Sequence, residues 1–333
     1  MIITRTPFRV SLLGGGTDYP TWYREHGGAV IGFGIDKYCY ICVRRLPPFF
    51  THKHRIVYSQ IELVRGIDEI NHPAVRAVMN EWPHKLAGLE VQHMGDLPAR
   101  SGLGSSSSFT VGLINALHAL EGNRISAKAL GDEAIRIEQD VLKESVGSQD
   151  QIWAANGGLA RVDFMPSGEI RYQPLVMERG RIGQLNDSLM LYFTGVSRFS
   201  SEAAAQKIAN MKEKERQLQT MLSMVDECAD ILQSRNRDMD DLGRMLHEAW
   251  MLKRELADKV SNKVIDEIYN AGMEAGALGG KLLGAGGGGF MLFYAPAGAQ
   301  AKIREELRDF IEVDFTINAP GSTVVLYDPD RFS

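Results

Sequence analysis

Residues 98–108 read Pro-Ala-Arg-Ser-Gly-Leu-Gly-Ser-Ser-Ser-Ser and run directly into an apolar, helix-patterned stretch over 109–120. Glycines let the backbone turn tightly, and the first amides of a helix have no acceptor within it, so such a junction can gather several N–H donors around one anion. Serine hydroxyls add donors and can ligate a metal. No Gly-Lys-Ser/Thr follows the glycines, so the segment is not a Walker loop. On composition alone it also reads as a flexible linker or an ordinary helix cap. Its position favours a phosphate cradle, because it follows the strand-like stretch 89–97 and precedes an unbroken helix.

With 333 residues the chain exceeds one typical core, which predicts two domains. A composition of 44% hydrophobic and 24% charged residues describes a soluble globular protein. The 37 Lys and Arg against 42 Asp and Glu leave a net charge of −5, which argues against a nucleic-acid binder. Cys39 and Cys42 have C-x-x-C spacing, but they fall in a strand-like run, where residues three apart point to opposite faces. Neither a metal nor a redox pair is expected of them, and a reducing cytoplasm fits. No cleavable apolar segment opens the sequence, so export is not expected. The charge-free run 282–301 is long enough for a membrane span, but its glycines at 286–289 and Pro296 favour a turn and a buried strand over 290–294. No membrane partner is expected either.

Strand-like stretches cover 9–13, 29–43 and 56–64, and a helix over 73–86 is interrupted near Pro83. After the serine loop and its helix, a third helix runs from 126 to about 144 with Ser126 as N-cap. Ser148 caps a further helix, which Gly157 and Gly158 end, and strands follow over 159–164 and 170–175. The chain then turns polar over 178–187, which sets a soft boundary between domains 1–183 and 184–333. The second half opens on a buried strand, 189–194, and continues with amphipathic helices to about 275. A glycine loop, a strand, a helix over 299–310 and strands over 313–317 and 323–327 complete it. This order is that of an α+β protein. The charge run 206–219 reads as a solvated helix face.

Two more clusters accompany the serine loop. Thr6-Pro-Phe-Arg-Val-Ser-Leu-Leu-Gly-Gly-Gly-Thr-Asp-Tyr19 is a strand running into a glycine turn with a carboxylate, and Lys281-Leu-Leu-Gly-Ala-Gly-Gly-Gly-Gly-Phe290 is a glycine turn before a buried strand. Each is also compatible with a plain tight turn. With all three in this order, the sequence resembles the GHMP kinases along essentially its whole length. That resemblance implies an N-terminal domain like the second domain of ribosomal protein S5 and a ferredoxin-like C-terminal domain, with ATP and substrate in the cleft between them. Within the family it looks most like the bacterial D-glycero-D-manno-heptose 7-phosphate kinases and their fucokinase relatives. The residues behind this are Gly14-Gly-Gly-Thr-Asp18, the block 147–158, the segment 193–198 and the four consecutive glycines. Galactokinases carry Glu and His where Gly15 and Gly16 stand, which weakens galactose as substrate.

The resemblance implies roles for individual residues. Gly102, Leu103, Gly104, Ser105, Ser106 and Ser107 would wrap the ATP phosphates, and Ser106 with Glu138 would hold Mg²⁺. Asp150 would be the catalytic base, with Arg9 orienting it and stabilising developing charge. Gly15, Gly16, Thr17 and Asp18 would hold sugar hydroxyls, and Gly286, Gly287 and Gly288 would let backbone approach the substrate. Each carboxylate has a plainer reading: Glu138 as a helix-surface residue, Asp150 as a helix cap, Asp18 as a turn residue. A phosphate already on the acceptor would need a basic group, either Arg198 or the cluster His52, Lys53, His54, Arg55. The implied activity is phosphorylation of the anomeric hydroxyl of a heptose 7-phosphate. A kinase for free sugars and a non-catalytic sugar- and ATP-binding regulator are the alternatives. The expected partner is a small sugar or sugar phosphate, and a homodimer is compatible with the reading.

Overall fold

The computed structural model describes residues 1–82, 88–99, 101–195 and 200–329. Its first half runs β1 (Ile2–Leu13), α1 (Pro20–His26), β2 (Gly28–Arg45), β3 (His54–Val57), β4 (Ile61–Val64), α2 (Pro73–Glu81), β5 (Leu89–Gly95), α3 (Ser105–Leu120), α4 (Ala127–Arg136), α5 (Gln149–Asn156), β6 (Leu159–Phe164) and β7 (Ile170–Pro174). The second half runs α6 (Arg179–Ser188), β8 (Leu189–Phe193), α7 (Ser200–Asn210), α8 (Glu215–Gln233), α9 (Asp240–Glu255), α10 (Lys263–Glu274), β9 (Gly279–Leu282), β10 (Phe290–Tyr294), α11 (Ala297–Glu306), β11 (Ile311–Glu312) and β12 (Thr323–Tyr327).

The first sheet has the order β12-β1-β2-β5-β3-β4. β2 is long enough to fork, pairing with β6 over residues 28–33 and with β5 over residues 39–45. The second sheet is antiparallel, in the order β11-β8-β10-β9. Counted along the chain its strands stand 4-1-3-2, with helices in the first and last crossovers, which is the ferredoxin-like arrangement. The fold is α+β, as the element order implies.

α3 carries apolar residues around most of its circumference, the pattern of a helix buried on all sides, and from Ser107 onward nearly every residue is buried. At Gly112 it comes so close to the sheet that a Cβ would sit 2.9 Å from Thr6 Oγ1 and 3.1 Å from Ile41 Cγ1. Thr4 donates to the Gly112 carbonyl at 2.9 Å, and Ser108 to that of Pro7 at 2.8 Å. These bonds fix the start of α3 beside the middle of β1.

Several elements differ from the sequence reading. The stretch 56–64 is a hairpin, β3 and β4, not one strand. The helix from 126 ends as α4 and a π-turn, Ile137–Val141. Ser126 caps it, accepting from Ala129 N at 3.2 Å, but Ser148 makes no such bond to α5. Residues 313–317 form no strand. Only β11 joins the second sheet, and Thr316 then exchanges hydrogen bonds with Asp36 as the chain crosses back. That crossing places β12 on β1, in the first sheet. A division at 183/184 therefore falls inside α6 and does not separate the two sheets.

Replacing Gly112 by Val would force α3 off β1. We expect a loss of about 1–3 kcal/mol, as for other overpacked cores, read as a lower urea midpoint with an unchanged m-value.

Candidate active site

The three glycine segments meet. Arg9 N donates to Leu103 O at 3.0 Å, joining β1 to the serine loop. Gly284 lies against Gly102, and Gly289 against Ser101, so closely that a side chain at either position would strike backbone. Lys281, just before the third segment, donates to Leu12 O at 2.7 Å, joining it to the end of β1. Residues from the start, middle and end of the chain thus surround the N-terminus of α3.

Arg9 is the hub of this arrangement. Its Nε and Nη2 donate to the two carboxylate oxygens of Asp150 at 2.8 and 2.7 Å, and its Nη1 donates to Gly102 O at 2.7 Å. Asp150 stands in the first turn of α5. Gly104, the N-cap of α3, adopts φ +75°, and a Cβ there would lie 3.4 Å from Asp150 Oδ2. The carboxylate therefore borders the first turn of α3, whose N–H groups have no acceptor within the helix. Arg9 is almost fully buried, whereas the Asp150 side chain is 26% exposed, open to a ligand on its free side.

Glu138 reaches the same helix from the π-turn. Its Oε2 accepts from Ser107 Oγ at 2.9 Å and from Gln151 Nε2 at 2.5 Å. Its hydrogen-bond partner is Ser107, while the Ser106 side chain is exposed one residue earlier on the turn. Successive helical residues point about 100° apart, and the π-turn rotates Glu138 onto the inner of the two serines.

The turn after β1 corrects other expectations. Thr17 is fully buried; its hydroxyl lies 2.9 Å from Gly14 O and 3.0 Å from Ala29 O, so it stabilises the turn and does not face a substrate. Asp18 is 1% exposed, accepts from Gly16 N at 2.9 Å, and packs onto Gly147, where a Cβ would strike its carboxylate. Burial, and secondarily the charge of Asp150, raises its pKa. Gly15 remains partly accessible, beside Ser11 and Gln149. Gly286, Gly287 and Gly288 are buried, and the Gly287 amide is spent on Val260 O at 3.0 Å, so the glycines that touch the serine loop are Gly284 and Gly289. His54 and Arg55 lie on β3, across β5 and β2 from β1; burial first lowers the His54 pKa to about 4, and Arg55 pairs with Glu90 at 3.3 Å. Arg198 falls outside the described residues.

Three buried lysines escaped the sequence reading. Lys253 donates to Leu282 O at 2.6 Å and Gly284 O at 2.7 Å, and with Lys281 it clamps the glycine segments together. Burial, then the charge of Lys207, pulls both pKa values down, that of Lys281 to about 7. Lys207, inside the run read as a solvated face, is 5% exposed. A signal existed: Ala203, Ala204 and Met211 flank it at helical spacing and put it on the buried stripe of α7.

Comparison with known families agrees with this geometry. The GHMP kinase N-terminal domain matches residues 68–158 and the GHMP kinase C-terminal domain residues 229–313, together more than half of the chain. The chain belongs to the GHMP kinases. GHMP kinases take their phosphoryl group from ATP, and this one is accordingly a phosphotransferase. Among GHMP kinase relatives, D-glycero-alpha-D-manno-heptose 7-phosphate kinase of Campylobacter jejuni is 26% identical over 92% of this chain and 93% of its own. The bifunctional fucokinase/GDP-fucose pyrophosphorylase of Arabidopsis thaliana is 25% identical over 93% of this chain, which spans only 31% of that longer protein. A D-glycero-D-manno-heptose 1-phosphate kinase from Bacteroides thetaiotaomicron has the same fold, with a TM-score of 0.73 at 21% identity over 98% of this chain and 99% of its own. No described helix is long and apolar enough to cross a membrane.

The residues around Glu138 fit a hard cation. Its Oε1 is buried with no hydrogen-bond partner, and burial, opposed by the bonds from Ser107 and Gln151, raises the carboxyl pKa to about 7. Among the described residues no group of three or more His, Cys, Asp or Glu is placed to hold a metal. One carboxylate, serine hydroxyls and nucleotide phosphate oxygens form the kind of donor set that suits Mg²⁺. A carboxyl with a raised folded-state pKa contributes stability below the unfolded value near 4.5 and loses it as pH rises through about 7. In metal-free buffer the melting temperature of Glu138→Gln should therefore gain on that of the wild type between about pH 5 and 8. A difference that stays flat across that range would mean Glu138 is not protonated at the low end.

Proposed function

We propose that this GHMP kinase is an ATP- and Mg²⁺-dependent sugar kinase that phosphorylates the anomeric hydroxyl of D-glycero-D-manno-heptose 7-phosphate to the 1,7-bisphosphate. The observation that carries the kinase chemistry is the Arg9–Asp150 fork set against Gly104 at the N-terminus of α3. Support for the acceptor comes from the heptose 7-phosphate kinase relative, which aligns over nearly the full length of both chains.

In this reading the loop 102–107 and the first turn of α3 take the triphosphate on their N–H groups. Glu138 and the serine hydroxyls of that turn would hold Mg²⁺, which would supply charge neutralisation for phosphoryl transfer. Asp150 accepts a hydrogen bond from the acceptor hydroxyl on its open side. Its first task is to aim the hydroxyl oxygen at the γ-phosphorus, and the proton follows late, which suits a loose transition state. Arg9 keeps the carboxylate in one orientation and adds positive charge beside the transferring group.

An ADP-release assay on the purified chain with MgATP should show turnover on heptose 7-phosphate above that on free heptose, fucose, galactose and mannose. Turnover on free fucose with none on the heptose phosphate would replace the substrate. Nucleotide binding without turnover on any acceptor would make the protein a regulator. Asp150→Asn should lower kcat by about 10³-fold, within the usual range for a lost general base, with ATP affinity nearly unchanged; an unimpaired rate removes Asp150 from the chemistry.

A further inference from the structure

Ser11 and Gln149 stand next to the Arg9–Asp150 fork and take no part in it. Arg9 and Ser11 are alternate residues of β1, in unbroken register with Gly34 and Gly32 of β2. Their side chains therefore leave the same face of the strand, about 7 Å apart. Gln149 precedes Asp150 in the first turn of α5. Arg9 and Asp150 close on each other through two hydrogen bonds. Ser11 and Gln149 do not: they are 6% and 9% exposed, and among the described residues neither Ser11 Oγ nor Gln149 Oε1 has a hydrogen-bond partner. Buried polar atoms are costly to leave unmet, and such a pair calls for a group that meets both.

The two converge on one open space. A Cβ built on Gly15 would lie 3.6 Å from Ser11 Oγ and 3.9 Å from Gln149 Nε2, and outside its chain neighbours no other described atom comes within 4 Å. The glycines on either side are required by the backbone, since Gly14 and Gly16 have φ of +81° and +113° and a Cβ on Gly14 would strike Ala29 O. Gly15 has no such constraint, because its φ lies outside the left-handed region and it is partly accessible. What its missing side chain provides is room between two unmet polar groups.

The chemistry of those groups specifies what fits. A hydroxyl both donates and accepts, so a single one can accept from Ser11 O–H and donate to Gln149 Oε1. A phosphate oxygen has no proton to give and would leave the Gln149 oxygen unmet. Nor is the next amide along the turn free for an anion, because Gly16 N already donates to Asp18 at 2.9 Å.

We propose that Ser11 and Gln149 read a ring hydroxyl of the acceptor other than the one that reacts: it enters the space over Gly15 while the reacting hydroxyl is turned toward Asp150. This rests on the reading of the acceptor as a sugar. No bond is made or broken at either residue. They decide which sugar fits and how its ring is turned, and Gly15 is the opening that admits it.

The test measures kcat/KM at saturating MgATP for the best sugar acceptor of the panel above and for its monodeoxy analogues, each lacking one non-reacting hydroxyl. The wild type should lose about 10- to 100-fold on one analogue and far less on the others. Gln149→Met should lose a similar factor on the parent acceptor and little more on that one analogue, since each change removes the same bond. Gly15→Ala adds a methyl that meets only ordinary contacts, so its melting temperature and its KM for ATP should match the wild type. Its acceptor KM should nevertheless rise about tenfold as the space fills. A purely structural role for Ser11 and Gln149 would not respond to that methyl. Equal losses for Gln149→Met on the parent and every analogue, no loss at all, or an unaltered acceptor KM in Gly15→Ala overturns the assignment and leaves the kinase reading intact. A wild type that phosphorylates no sugar overturns the sugar-kinase reading and this assignment with it. Should Gln149→Met fail to fold, Ser11→Ala and Gly15→Ala carry the same comparison across the analogues.

Discussion

One guanidinium holds this site together. Arg9 commits three N–H groups, two to Asp150 and one to Gly102 O, and so ties β1 to positions 141 and 93 residues further along the chain. Because the guanidinium is planar, fixing one pair of its donors fixes the direction of the third. The distance and angle between the carboxylate and the glycine loop follow from that geometry and not from loop packing alone. A lysine could satisfy the charge but not the fork. The backbone bond from Arg9 N to Leu103 O pins the other side of the same residue, so the hub cannot rotate away from the loop.

The lysines form a second tier beneath it. Lys281 holds the end of β1 and Lys253 the start of the glycine run, each by donating to carbonyls from a buried position. Such an arrangement brings the turn after β1 and the glycine run into register at the cost of crowding like charges. The same region collects buried polar atoms without partners: Ser11 Oγ, Ser101 Oγ, Glu138 Oε1, Gln149 Oε1 and Gln151 Oε1. In protein interiors most such atoms are bonded. Their concentration around the start of α3 and α5 is what a site built for polar ligands looks like when its own groups are left to face one another.

The parts of this site legible in the sequence were those set by local rules. Glycine turns and the apolar helix after 108 announce themselves through composition and periodicity, and they located Gly102 and Gly104, whereas Arg9 and Asp150 followed from the resemblance of their segments to a family. Other features depend on rotation about an axis. Whether Ser106 or Ser107 meets Glu138 turns on a single residue's offset, set by a π-turn that no propensity signals. Likewise Thr17 faces inward to bond Gly14 O and Ala29 O, and Gly286 to Gly288 are covered, with Val260 packed on them from a distant segment. Lys207 was hidden by its neighbours in sequence, since Lys212, Glu213, Lys214 and Glu215 make the run look uniformly polar while α7 turns one stripe inward.

The pairing of β12 with β1 reaches beyond the site. Residues 2–5 find their outer hydrogen-bonding neighbours only at residues 323–327. At a translation rate of about 5–20 residues per second, these two segments leave the ribosome roughly 15–60 s apart. Throughout that interval this side of β1 presents a bare edge, the feature that invites pairing with other polypeptides. The order of synthesis therefore closes the first sheet after the second, and wrong pairing at that edge stays open to the chain until 323–327 emerge.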